Sequence, residues 1–273
     1  MISLQEKFSE LDKLNKALLA TNFYNFETLS GILCAARNKN VPLILQATKS
    51  TIQYLGLEVT VGLAHAARSQ YNVEAWLHLD HASDIDLIER CIQAGFDSVM
   101  IDASESPYET NIRKTRQVVE MAKLKNVNVE AELGYVAKLG QSREKVRFTQ
   151  PEEAKEFVDR TGVNALAVAI GSAHGFYKKE PKLDLILLNK IYRNTSAALV
   201  LHGGSGIPNI QLSKAITNGI RKINVATELK NTFMSKLRTD LGNTKEIDLR
   251  KIFPPAIKEV QRLIESKIDV IYN

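Results

Sequence analysis

Three histidines stand where a chain delivers chemistry. His81, His174 and His202, out of five histidines in 273 residues, each closely follow a short apolar run. Trp76 to Leu79 leads into Asp80-His81, Ala165 to Ile170 precedes His174, and Ala198 to Leu201 precedes His202. Three neutral imidazoles with one open position are the donor set of a catalytic divalent metal. Zinc is the first expectation for a nitrogen-rich site, with cobalt or another first-row ion as the alternative. Such an ion polarises a carbonyl and stabilises the oxyanion that grows there. Spacing alone leaves a second reading open, because loop ends bounding helices are polar in any case. The other two histidines, His65 on a helix and His78 within the apolar run, read as solvated or hydrogen-bonded structural groups.

The elements that must position these residues repeat one unit. Strands are expected at 18–23, 41–48, 74–81, 98–102, 128–133, 165–170, 198–202 and 222–226, alternating with helical stretches. Helices are expected at 4–15, 27–37, 57–69, from Ile85 to the C-cap glycine Gly95, at 108–123 and at 151–160. Eight short apolar strands alternating with helices make a parallel sheet, and eight such units close most simply as a (β/α)8 TIM barrel. A doubly wound open sheet is the competing architecture. Extra C-terminal helices, 227–241 and 255–268, pack outside the barrel or against another subunit. With no linker or low-complexity stretch, residues 1–273 form a single domain. Strand-end residues of such a barrel point into one shared mouth, and here they are polar: Asn22, Gln46, Thr48, Asp80, His81, Asp102, Glu132, His174, His202, Asn224 and Thr227.

Composition narrows the partners. The net charge of +5 is modest and its lysines and arginines are scattered, so no nucleic-acid footprint is indicated, whereas an anionic, phosphorylated small molecule stays open. No run of eighteen apolar residues occurs and the amino terminus reads as a charged helix start, so no membrane partner and a cytoplasmic location are expected. Cys34 and Cys91, the two cysteines, fall on the apolar sides of helices and read as buried structural residues. His202-Gly203-Gly204-Ser205-Gly206 is a glycine turn before a helix, suited to a phosphate, although left-handed turns also demand glycine.

Six motifs together resemble the class II, zinc-dependent ketose-bisphosphate aldolases. They are His78-Leu79-Asp80-His81, Val99 to Asp102, Val129 to Gly134, Ala167 to Gly175, Leu201 to Gly206 and Lys222 to Leu229, in that order along the chain. The last is closest to the tagatose-bisphosphate aldolase branch, because Ala226 stands where the fructose branch usually has an aspartate. The resemblance implies a TIM barrel, a homodimer or homotetramer, and release of dihydroxyacetone phosphate and an aldehyde from a phosphorylated sugar substrate, a ketose bisphosphate. It implies that His81, His174 and His202 hold zinc and that Asp80 moves the proton of the hydroxyl at carbon four. Asp102 and Glu132 correspond to an alternative, more buried metal site, or orient the histidines from behind. Gly175, Gly203, Gly204, Ser205, Asn224, Val225, Ala226 and Thr227 correspond to the family's cradle for the phosphate, with Asn22 and Thr48 as further substrate contacts. Arg250 resembles an arginine that reaches into a neighbouring subunit to bind the far phosphate, with a solvated helix-start arginine as the alternative.

One loop departs from the family. Where a glycine pair and acidic residues are usual, this chain reads Tyr135 to Lys145, and Glu144 is its only acid. Glu144 is the candidate for moving the proton at carbon three, while Lys138, Arg143, Lys145 and Arg147 offer cations for an anionic tail. A metal-dependent hydrolase on the same barrel, and a non-catalytic sugar-phosphate-binding relative, are the other function classes the residues allow.

Overall fold

Among the described residues, ten strands and eleven helices follow one another along the chain. They are α1 (Leu4–Leu14), β1 (Leu18–Asn22), α2 (Phe26–Lys39), β2 (Leu43–Thr48), α3 (Lys49–Leu55), α4 (Leu57–Tyr71), β3 (Ala75–Ala82), α5 (Ile85–Ala94), β4 (Ser98–Ile101), α6 (Tyr108–Lys123), β5 (Asn128–Leu133) and β6 (Ala137–Lys138). Then follow α7 (Pro151–Thr161), β7 (Ala165–Val168), β8 (Ala173–His174), α8 (Leu185–Asn194), β9 (Ala198–Leu201), α9 (Asn209–Thr217), β10 (Ile220–Val225), α10 (Thr227–Gly242) and α11 (Leu249–Ile271). The computed structural model describes residues 1–134, 137–138, 147–175, 177 and 179–272.

Eight of the strands, all parallel, close in the order β1-β10-β9-β7-β5-β4-β3-β2, so the barrel expected from the sequence forms and the open sheet does not. Parallel strands covered by helices are buried on both faces, which is why they read as near-continuous apolar runs. The inside of the barrel has two layers of different character. At its floor, Leu4, Phe8 and Leu11 of α1 plug the opening against Leu18, Ala20, Ile44, Trp76, Ala165, Ala167 and Val200. Trp76 Nε1 donates to the Ile2 carbonyl at 3.0 Å and ties that plug down. Nearer the mouth the interior turns polar, with His78, Glu130, His202 and Lys222 all buried.

The helical ring is held by apolar stripes. Leu29, Ile32, Leu33 and Ala36 of α2 recur at helical spacing and are fully buried, each leucine or isoleucine contributing roughly 1.5–3 kcal/mol. Gly31 in the same helix is required by close packing, since a Cβ there would lie 2.8 Å from Val260 Cγ1 and 2.9 Å from the Ile257 carbonyl of α11. The carboxy-terminal helix therefore seals against α2 and α10. Cys91 is buried, and burial pushes its thiol up to about 12, as befits a packing residue; Cys34 is half-buried. Among the described residues, no helix is long and apolar enough to cross a membrane.

Three expectations need correction. The helical region placed at 57–69 is preceded by a separate helix, α3, because the Thr48 hydroxyl caps a new N-terminus by accepting from Thr51 N–H, and Gly56 at φ 90 breaks the chain before α4. The last helix begins at Leu249, not at 255. Asp248 caps it there and Ile252 buries its first turn, so it runs through Pro254 and Pro255. The strand expected at 165–170 ends at Val168, and His174 closes the separate short strand β8, which pairs in parallel with β6 outside the barrel.

Candidate metal centre and active site

Strand β3 solves a geometric problem at its tip. Alternation along a strand would send Asp80 and His81 to opposite faces. The register against β4 slips between Leu79 and Ala82, and His81 takes a left-handed backbone at φ 47. A histidine in that conformation costs about 1–3 kcal/mol, which the surrounding barrel must offset. The result is that both side chains serve the mouth of the barrel.

There the three histidines converge. Their ring centroids are 5.0 Å apart for His81 and His174, 4.6 Å for His81 and His202, and 5.6 Å for His174 and His202, all edge-on. With a carboxylate oxygen of Glu132, one ligand atom from each of the four residues lies within 4.8 Å of all the others. Among the described residues, His202 Nδ1 and Glu132 Oε2 are buried without a hydrogen-bond partner, although only 3.3 Å separates them. Buried polar atoms are almost always partnered, so a facing pair of unpartnered donor atoms fits a cation between them. The set of three imidazoles and a carboxylate has the chemistry of a divalent-metal site.

Carboxylates fix the rings from behind. His81 Nδ1–H donates to Asp102 Oδ2 at 2.8 Å, while Ser104 holds the other Asp102 oxygen through its hydroxyl at 2.8 Å and its N–H at 3.3 Å. Burial would raise the Asp102 carboxyl, but His81 and Ser104 outweigh it and keep it well below the usual range. His202 Nε2–H donates to Glu130 Oε1 at 2.9 Å. Burial would depress the His202 imidazole, yet Glu130 and Glu132 on its two sides push it up to about 10. Among the described residues His174 has no such carboxylate, and burial with the two neighbouring rings pulls it down to about 3. The structure thus separates two carboxylates that the sequence treats alike: Asp102 stands behind His81, whereas Glu132 faces the cluster.

Asp80 is held between two amide donors. Asn22 Nδ2 donates to its Oδ2 at 3.0 Å and Gln46 Nε2 to its Oδ1 at 3.1 Å, on adjacent strands. Burial would raise its carboxyl, but the nearby His81, His202, Lys222 and His78 together hold it low. Ionised and tethered, it can accept a proton without moving. A cavity of about 500 Å³ opens beside the cluster, lined by His81, Asp102, Glu132 and His174 together with Ser104 and Lys114.

The remaining residues expected at the site fall into distinct places. Gly203, at φ 67, must be glycine because a Cβ would meet the Ala173 carbonyl at 2.3 Å. Gly204 N–H donates to the Asn224 carbonyl at 2.9 Å, which brings the glycine turn against the end of β10. Buried Ser205 turns its hydroxyl oxygen to the N–H groups of Ala226 and Glu228, both at 3.3 Å, at the start of α10. Asn224 Oδ1 is buried without a partner, and the Val225 carbonyl accepts from Thr21 Oγ1 at 2.7 Å. Ala226 and Thr227 are half-buried where α10 begins, and Gly175 follows β8 at φ 104. Thr48 caps α3 beside Ser50. Arg250 stands apart: it is 90% exposed and its guanidinium grips Asp248 of its own helix cap. Arg147, one of the cations offered for an anionic tail, is paired with Glu153. Glu144 lies outside the described residues, as do Arg143 and Lys145.

Four residues that support the site carried no assigned role in the sequence. Glu130 has the same strand parity as Glu132, so both must face the barrel interior, a signal that was available. Gln46 pairs in register with His78 one strand away. Ser104 completes the Asp102 carboxylate. Tyr177 links two ligand-bearing segments, its hydroxyl accepting from Ala173 N–H at 2.7 Å and donating to the Gly203 carbonyl at 2.9 Å.

Comparison with known proteins agrees with this geometry. The family model described as "Fructose-bisphosphate aldolase class-II" matches residues 2–273. A fructose-bisphosphate aldolase of Staphylococcus aureus is 38% identical over 278 residues, covering 98% of this chain and 96% of the relative. One of Geobacillus stearothermophilus is 39% identical over 276 residues, with the same coverage. Among solved structures, the YdjI aldolase from Escherichia coli K12 superposes with a TM-score of 0.86 at 28% identity, covering 99% of this chain and 96% of that one. Both sequence relatives carry the fructose name, and neither name points to the tagatose branch.

Proposed function

The chain belongs to the class-II fructose-bisphosphate aldolase family, and from that premise we propose that it reversibly cleaves a fructose- or tagatose-like ketose bisphosphate into dihydroxyacetone phosphate and an aldehyde. The family is metal-dependent, and zinc on His81, His174 and His202 is our reading of the ion. The observation that carries it is the convergence of these three rings on the unpartnered His202 Nδ1 and Glu132 Oε2. Zinc held there supplies a Lewis acid for the ketose carbonyl.

The chain's own groups account for the rest. Asp80, ionised and braced by Asn22 and Gln46, takes the proton of the hydroxyl at carbon four as the carbon–carbon bond breaks, and returns it in the condensation direction. The glycine turn at Gly203 and Gly204, with Ser205, Gly175 and the 224–227 segment, receives the phosphate of the dihydroxyacetone half, where the unpartnered Asn224 Oδ1 can accept from a substrate hydroxyl. Glu144 is our candidate for the proton at carbon three, because it is the only acid in the stretch Tyr135 to Lys145. Thr48 and a partner subunit's copy of Arg250 complete the far-phosphate end in a homodimer or homotetramer, acting in the cytoplasm.

The test is release of dihydroxyacetone phosphate from a panel of ketose phosphates, with and without a chelator. Cleavage of fructose or tagatose bisphosphate that the chelator abolishes is expected. Absence of cleavage across the panel in zinc-loaded protein would overturn the assignment.

A further inference from the structure

Beneath the three histidines, a chain of buried polar groups continues from Glu130, behind His202, through Lys222 to His78 and Ser98. Lys222 of β10 and Glu130 of β5 meet across the barrel, Nζ donating to Oε2 at 2.6 Å, and both are 1% exposed. On its other side, Lys222 Nζ lies 3.2 Å from His78 Nε2. His78 Nδ1 is 2.7 Å from Ser98 Oγ, which also accepts from Asn128 Nδ2 at 3.0 Å.

Donor and acceptor chemistry orders this chain in one direction. An ammonium only donates, so His78 must present a lone pair at Nε2 and carry its proton on Nδ1, toward Ser98. An ionised carboxylate only accepts. With Oε2 taken by Lys222, Glu130 turns Oε1 to His202, whose Nε2 must then carry the proton. His202 Nδ1 is left as the atom that faces Glu132 and the other rings. Lys222 Nζ holds Oε2 in place at 2.6 Å, and that contact sets the orientation in which Oε1 meets the His202 ring.

We propose that Lys222 is a positioning residue for metal capture: its ammonium fixes Glu130 as the acceptor of the His202 Nε2–H and so aims His202 Nδ1 into the ligand cluster. This rests on the reading of His81, His174 and His202 as the metal set. Lys222 touches neither metal nor substrate and acts through two other side chains. Partners of this kind, one step removed from a ligand, change metal affinity by about 10- to 100-fold when replaced.

The experiment is a zinc titration of the full chain against a chromogenic chelator, with circular dichroism and melting curves on the same samples. Lys222→Met and Glu130→Gln are each expected to raise the zinc Kd by roughly 10- to 100-fold. Gln can turn its amide N–H toward the ring and favour the wrong tautomer. Because Lys222 works through Glu130, the double variant should be no weaker than the weaker single variant, a non-additive result. The double variant buries no lone charge, so it carries the test if Lys222→Met does not fold. Wild-type zinc affinity in a folded Lys222→Met or double variant, even with a lowered melting point, would overturn the inference and leave Lys222 a structural neutraliser. A wild-type chain that takes up no zinc would overturn the metal reading itself, and the inference with it.

Discussion

The floor and the mouth of the barrel both bury charge, and only one of them is built to hold something else. At the floor, Arg221 is 1% exposed and spends its donors within the protein. It donates to Asp12 Oδ1 at 2.7 Å, to the carbonyls of Ile216 at 3.0 Å and Ile220 at 2.9 Å, and to Asn15 Oδ1 at 3.3 Å, and it stacks 5.2 Å from the Tyr192 ring centroid. The cleft there, about 720 Å³, is larger than the 500 Å³ cavity at the mouth. Its unpartnered atom is Gln5 Oε1, a neutral amide oxygen. At the mouth, beside the unpartnered amide oxygens of Gln46 and Asn224, stand an unpartnered imidazole nitrogen and carboxylate oxygen that face each other. Between these two clefts volume favours the floor and unsatisfied ligand chemistry the mouth, where TIM-barrel active sites lie.

The sharpest way to break this contrast is to remove a ligand. His81→Ala, His174→Ala and His202→Ala should each cut bound zinc well below one per chain and abolish turnover, as read by elemental analysis and the cleavage assay. A single variant that keeps full zinc removes its residue from the set. Next in size is Asp80→Ala, which under the proposed proton-transfer role of Asp80 should retain zinc yet lose on the order of a hundredfold or more in cleavage rate. Joint loss of zinc and activity would refute that separation of roles. Glu144→Gln should slow exchange of the carbon-three proton of dihydroxyacetone phosphate with solvent by roughly 10- to 100-fold with zinc intact, and unchanged exchange would place the base elsewhere. Gln46→Leu removes one of two donors to the Asp80 carboxylate. A hydrogen bond to a charged group is worth about 1.5–3 kcal/mol, so a fall of roughly tenfold in kcat is expected with KM little changed, and wild-type kcat would make Gln46 a bystander.

How far the sequence reveals the two regions differs for a physical reason. The mouth is legible because strand ends are local: each of His81, His174 and His202 sits just beyond an apolar run, and the barrel rule then places all three together. Residues that act within strands are harder to read. Glu130 and Lys222 look like isolated charges in apolar strands, and their pairing across the barrel follows from a closure that no local pattern displays. His78 illustrates the same limit. Its structural role is legible, but its partners lie on β10 and β4. The floor is less legible still, since Asp12, Tyr192 and Arg221 are far apart in the chain and are joined only when α1 plugs the barrel. Arg250 marks the opposite boundary, because in one chain its guanidinium answers only to Asp248 and its far-phosphate role needs a second subunit to test.

The smallest expected effect on turnover is the most direct test of the contrast. If Arg221 is purely architectural, Arg221→Met should leave zinc content and kcat unchanged at temperatures where the chain is folded. Stability should nevertheless fall, because the buried carbonyls of Ile216 and Ile220 lose a donor while methionine recovers only the packing of the stem. Asp12 is half exposed, so water largely compensates its loss, and the cost is set by the carbonyls at roughly 2–4 kcal/mol. For a chain of this size that corresponds to a melting-point drop of about 5–15 °C, measurable by calorimetry on zinc-loaded protein. Loss of zinc or of kcat in the folded variant would show that the floor is coupled to the mouth, and satisfied hydrogen bonding would no longer separate architecture from function in this barrel.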